Sequence, residues 1–184
     1  MGLDLAIIGG IVVDGSGKKG YESSVGVQDG KIVKIGSIRV GGADETIDAS
    51  GLIVAPGFID IHSHSDAPLL VNPRAESKVR QGVTTETIGN CGGSIAPLTE
   101  LAREEIVGRL DPLGMDTSWS SFGEYLERLE KGVALNVVSF VGHGTVRMCV
   151  MDLEERAPTS GELEEMKGLV GASMRDGAFG LSSG

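Results

Sequence analysis

Aromatic side chains are scarce in this sequence, with four Phe, two Tyr and one Trp among 184 residues. So thin a supply offers no stacking platform for single-stranded nucleic acid. Positive charge is short as well: 16 Lys and Arg stand against 26 Asp and Glu, a formal net charge of -10. A field of that sign repels phosphate backbones, so no nucleic-acid partner is expected. Two cysteines, Cys91 and Cys149, are too few for a disulfide framework. No apolar run approaches the roughly 20 residues that a spanning helix needs. The opening Met1-Gly2-Leu3-Asp4 lacks a basic segment followed by a long apolar one. These shortages predict a cytoplasmic protein in reducing surroundings, without a membrane partner. No internal repeat or low-complexity stretch is visible.

What is present is glycine, 29 residues, well above the usual share of about 7%. It follows no G-X-Y period, which excludes a collagen helix and predicts many tight turns. Hydrophobic residues at 40% and charged residues at 23% describe a globular chain with a sizeable core.

Residues 1–52 read as β-structure. Leu5 to Val13 is apolar with a Gly9-Gly10 break, and Gln28-Asp29-Gly30 between Val25–Val27 and Lys31–Ile35 is a strong hairpin signal. A small antiparallel sheet is expected there. From Leu52 onward, apolar runs alternate with helical stretches. Strands are expected at Phe58–His62, Val83–Ile88, Ala134–Val141 and from Ala178 to Leu181. A short helix is expected at Asn72–Gln81 and a longer one at Leu98–Leu110. Two more open on capping boxes, Ser121 with Glu124 and Thr159 with Glu162. Alternation of this kind implies a parallel sheet in an α/β fold.

The polar residues fall at strand ends, where barrel enzymes collect their chemistry. The first strand ends in His62-Ser63-His64, and residues i and i+2 of a strand share a face. Two imidazoles there suit a metal, zinc among them. The second strand ends in Gly89-Asn90-Cys91-Gly92-Gly93, whose glycines let the backbone bring a thiolate close. The third ends in Gly142-His143-Gly144, where His143 reads as a substrate-facing side chain rather than a ligand. Cys149, Met115, Met166 and Met174 read as core, and the pairs Glu154-Glu155 and Glu164-Glu165 as solvated faces.

The segment from Gly51 to His64, with Pro56-Gly57-Phe58-Ile59-Asp60-Ile61-His62-Ser63-His64, resembles the first-strand signature of the amidohydrolase superfamily. The run from Gln81 to Ser94 resembles, more narrowly, the N-acyl-D-amino-acid deacylase (D-aminoacylase) family, as do Ser139–Arg147 and Gly177–Gly184. The resemblance spans the whole chain and corresponds to about the N-terminal third of a family member, whose complete (β/α)8 barrel needs about 250 residues. It implies the N-terminal part of a metal-dependent hydrolase TIM barrel, about four βα units over 53–184, preceded by part of a small β-sandwich over 1–52. It implies zinc, one or two ions, with His62, His64 and Cys91 as ligands, Cys91 replacing a carboxylated lysine. It implies hydrolysis of a small-molecule N-acyl amino acid at its amide bond. The family's catalytic aspartate and two further histidines would lie beyond Gly184, and neither Asp60 nor Asp66 matches that aspartate. Two other readings stay open. One is a non-catalytic fragment, or a subunit completed by another copy or a partner, because half a barrel leaves open sheet edges. The other is a dihydroorotase- or hydantoinase-like cyclic amidohydrolase, which shares the His-x-His signature without explaining Cys91.

Overall fold

The computed structural model describes residues 2–110, 112 and 114–184. The chain divides into two compact units, one up to Pro56 and one of Gly57–Gly184.

The first unit is one five-stranded sheet. Strands β1 (Leu3–Val12), β2 (Tyr21–Gln28), β3 (Lys31–Gly36) and β4 (Ala43–Asp48) lie in the order β3-β2-β1-β4, and β5 (Ile53–Val54) also pairs with β1. The expected hairpin is β2-β3, turned by Asp29 and Gly30 at φ 50° and 70°. Positive φ at both central residues matches the turn to the strands' own twist. The sheet is mixed rather than antiparallel, because β4 and β5 both run parallel to β1. Gly9 and Gly10 fall where the β1-β2 register shifts between Ile7 and Gly10, an irregularity that bends the strand. The unit boundary lies after Pro56 rather than at Leu52, since Ile53 and Val54 pair with Ile11 and Val12.

The second unit is a run of parallel strands joined by helices. Strands β6 (Phe58–Asp60), β7 (Val83–Ile88) and β8 (Asn136–Ser139) are neighbours in that order, and β9 (Val141–Gly142) pairs with β10 (Leu181–Ser182). The expected third strand is thus divided at Phe140. Its N–H still bonds Ile88 of β7, while the Val141 N–H turns to Gly180 before β10. This is the βα repeat of a TIM-barrel sector, and among the described residues β6 and β10 each have one strand neighbour.

Between β6 and β7 the expected helix over 72–81 is replaced by two single turns, α1 (Pro68–Val71) and α2 (Glu76–Val79). Pro73 disfavours helical backbone at Asn72, which sits at φ -126°, ψ 79°, and Ala75 takes left-handed φ 44°. Helix α3 (Glu100–Leu110) and helix α4 (Phe122–Glu130) follow β7. Both predicted capping boxes form, at Ser121 for α4 and at Thr159 for α6 (Ser160–Asp176). One helix was not legible: α5 (His143–Met151) starts at Gly142 without a side-chain cap and buries Thr145, Val146 and Cys149 on one face. Cys149 and Met166 are core as expected, whereas Met174 is 44% exposed because it lies on the outer face of α6.

The core of this unit centres on an aromatic group around α4. Trp119, Phe122 and Tyr125 are all essentially buried, with Tyr125 5.7 Å from Trp119 and 6.2 Å from Phe122 between ring centroids. Each such side chain buries 150 to 250 Å² or so, and a buried polar tip needs a partner. The Trp119 indole donates to the Ile95 carbonyl at 2.8 Å and the Tyr125 hydroxyl to the Asp66 carbonyl at 3.2 Å. Two of the three aromatics therefore brace the loops that leave β7 and β6.

Candidate metal centre

The chain leaves β6 as an alternating segment: His62 and His64 are exposed, Ser63 is buried and Ser65 is half-buried. The Asp60 carboxylate accepts the His62 N–H at 3.2 Å, and the Ser63 N–H reaches the Thr87 carbonyl at 3.0 Å, prolonging the β6-β7 ladder. The Asn90 side-chain amide donates to the carbonyls of Ser63 at 3.1 Å and Thr87 at 2.9 Å, so it ties both strand ends together. Below the histidines, Glu86 of β7 is fully buried. Its Oε1 accepts from the Ser63 and Ser65 hydroxyls, the latter at 2.6 Å, and pairs with Lys78 Nζ at 3.2 Å. Lys78 also pairs with Asp60, the residue opposite Glu86 in the strand register. That bond holds the Asp60 carboxyl below the usual carboxylate range and raises the Lys78 ammonium.

The loop after β7 is built from backbone geometry. Gly89, Cys91 and Gly92 take φ of 73°, 53° and 71°. A non-glycine residue at positive φ is uncommon and persists where its surroundings over-determine it. Here they do. A Cβ on Gly89 would lie 2.0 Å from the Phe140 carbonyl oxygen. The Ser182 hydroxyl of β10 donates to the Gly89 carbonyl and accepts the Gly92 N–H at 3.1 Å. From α5, the Thr145 N–H reaches the Gly92 carbonyl at 3.2 Å, and the Thr145 hydroxyl accepts the Ser94 N–H at 2.9 Å and donates to the Ser94 carbonyl at 2.7 Å.

These two loops bring His62, His64 and Cys91 together. One nitrogen from each imidazole and the Cys91 sulfur lie within 4.8 Å of one another, and His62 Nε2 is 3.2 Å from Cys91 Sγ. The imidazole rings stand edge to face with centroids 5.4 Å apart. Two imidazoles and a thiol, open to solvent on one side, form a donor set that suits a zinc ion with a position left for water or substrate. Beside the cluster lies a cavity of about 600 Å³, walled in part by Asp66, Ile106, Arg147 and Met148. Burial pushes the Asp66 carboxyl up to about 6, against the opposing pull of the Gly89 N–H and of His64. His143 is exposed at the first position of α5; its neighbours Gly144 and Thr145 line the cavity, whereas His143 stands outside the described wall. Cys149 is remote from this chemistry, its thiol donating to the Pro97 carbonyl at 3.3 Å.

Reading the sequence missed Glu86 and Lys78. The signal was a lone carboxylate inside the strand Val83-Thr84-Thr85-Glu86-Thr87-Ile88, a place where a charge needs a partner.

Known proteins share this arrangement of chain. An N-acyl-D-aspartate deacylase of Alcaligenes xylosoxydans xylosoxydans is 41% identical over 184 residues, which is 98% of this chain and 36% of that protein. The crystal structure of a D-aminoacylase superposes with a TM-score of 0.87 at 37% identity, over 99% of this chain and 38% of the other. An N-acyl-D-glutamate deacylase from Bordetella bronchiseptica, solved with zinc and a phosphonate inhibitor that mimics the tetrahedral intermediate, gives a TM-score of 0.86 at 36% identity over 100% of this chain and 39% of its own. The chain therefore spans a little over a third of the length of the relatives it matches. The sequence profile of the amidohydrolase family matches residues 45–183, three quarters of the chain, and the chain belongs to that family.

Proposed function

We propose that the intact protein hydrolyses the amide bond of N-acyl-D-amino acids, using zinc held by His62, His64 and Cys91. The observation that carries this reading is the convergence of three soft and borderline donors within 4.8 Å at adjacent strand ends. When bound, zinc supplies a water of lowered pKa and a Lewis acid for the carbonyl. Cys91 serves as a thiolate, and the strained loop around it keeps the sulfur facing His62. The cavity next to the cluster is of a size that suits a small acylated amine, and Ile106 and Met148 give it apolar surface for an acyl group. His143 contacts substrate from the rim beside Gly144. Amide cleavage also needs a group that moves a proton to the leaving amine. Asp60 and Glu86 are both engaged by Lys78, and neither they nor Asp66 matches the family's catalytic aspartate, which the resemblance assigns to a position beyond Gly184. Both cysteines are free, and a reducing cytoplasm would keep Cys91 in its ligating form.

In the intact protein, Cys91→Ala is expected to remove bound zinc and lower turnover of N-acyl-D-amino acids by at least about a thousandfold. Unchanged kcat with unchanged zinc content would overturn the reading. His143→Ala is expected to raise KM several-fold with zinc content intact, and normal kinetics would remove His143 from the site.

A further inference from the structure

The His-x-His segment does not hold itself. It leaves β6 as irregular backbone after Asp60, and both imidazoles point to the exposed side. Its buried side is fastened to a single atom. Glu86 Oε1 receives the Ser63 hydroxyl, the Ser65 hydroxyl and the Lys78 ammonium, and the two hydroxyls lie 2.8 Å from each other. Ser63 and Ser65 alternate with His62 and His64, so fixing two hydroxyls on one side fixes the direction of two rings on the other. Lys78 closes the arrangement by joining Glu86 to Asp60, which itself holds the His62 N–H. A fully buried carboxylate costs several kcal/mol unless it is paired and bonded. Three partners meet on Oε1, and among the described residues Oε2 has none. An apolar residue in such a place is often no less stable, so a carboxylate here points to a task at the site.

We propose that Glu86 is a positioning residue for the metal centre, setting the orientation of His62 and His64 through the hydroxyls of Ser63 and Ser65. This rests on the reading of His62, His64 and Cys91 as metal ligands. Outer groups that orient ligands are worth roughly ten- to a hundredfold in metal affinity, and a ligand set left loose by its supports loses more function than fold.

The test titrates Co²⁺ into the metal-free intact protein and follows the thiolate-to-cobalt charge-transfer band. The parent should show the band, and the Ser63→Ala/Ser65→Ala pair should bind Co²⁺ ten- to a hundredfold more weakly while the melting temperature of the metal-free protein moves by only a few degrees. Glu86→Gln should weaken Co²⁺ to a similar extent, and adding it to the serine pair should cost nothing more, because Glu86 acts through those hydroxyls. Co²⁺ affinity of the serine pair within twofold of the parent would overturn the proposal. So would a further tenfold loss on adding Glu86→Gln to that pair. Should Glu86→Gln fail to fold, the serine pair alone decides. Absence of the band in the parent would instead overturn the metal reading, and this inference with it.

Discussion

At the end of β6 the chain is gripped by side chains, and at the end of β7 by its own backbone. His62 and His64 owe their placement to Asp60, Lys78, Glu86, Asn90 and two serine hydroxyls. Cys91 owes its placement to positive φ at Gly89, Cys91 and Gly92, with Ser182 and Thr145 fastening carbonyls and N–H groups of the loop. The two devices fail differently. A network of side chains can be weakened one bond at a time. A backbone fold of this kind depends on room for atoms that are not there, and one added carbon removes it.

The largest effect is therefore expected in the backbone-held loop. Gly89→Ala combines positive φ with a Cβ set 2.0 Å from the Phe140 oxygen, and should cost upwards of about 4 kcal/mol. Gly30→Ala, at φ 70° with open space around it, should cost only about 1 kcal/mol. Thermal melts of the two variants that agree within a few degrees would erase the distinction between crowded and merely left-handed glycine. Next is Lys78→Met, which strands Asp60 and the buried Glu86 and should destabilise by about 3 kcal/mol. Chemical denaturation showing no change would mean that the two carboxylates do not need their shared cation. Ser182→Ala removes one hydroxyl from the Cys91 loop and should cost about 1 kcal/mol. Metal affinity should fall less than in the serine pair below the histidines, since backbone strain still shapes the loop; a larger fall would reverse the ranking of the two grips.

The smallest effect lies away from the site, in a side-chain grip on a helix end. Glu162 is held far below the ordinary carboxylate range, first by Arg156 and then by the N–H and hydroxyl of Thr159. A depressed folded-state pKa contributes stability that is present above the unfolded value, near 4.5, and is lost as pH falls through the folded one. Melting temperature followed from pH 5 downward should drop less steeply for Glu162→Gln than for the parent. Parallel curves would show that this box contributes nothing in solution.

The proposed ligands were legible and their supports were not, for a physical reason. His62 and His64 announce themselves by spacing of two after an apolar strand, and Cys91 by the glycines around it. The boxes at Ser121 and Thr159, and the Asp29-Gly30 hairpin, are equally local, since residue type and backbone conformation are linked within four positions. Glu86 is different. Its meaning comes from Lys78 and Ser63, and pairing between separate elements has no sequence spacing to reveal it. The same holds for β4 and β5, whose parallel pairing with β1 no local pattern announces. Helix α5 escaped because Gly142-His143-Gly144 has the composition of a turn, and its Thr145 N–H is served by the distant Gly92 carbonyl rather than by a capping side chain.

Ser182 grips a loop 90 residues earlier in the chain. During synthesis, which proceeds from the N-terminus, His62, His64 and Cys91 emerge from the ribosome well before the hydroxyl that shapes the cysteine loop. Until the strand bearing Ser182 docks, the loop around Cys91 lacks the hydroxyl that joins the Gly89 carbonyl to the Gly92 N–H. Closing so long a loop is slow and entropically costly. The geometry of the Cys91 loop is thereby completed by a residue 90 positions further along the chain than Gly92.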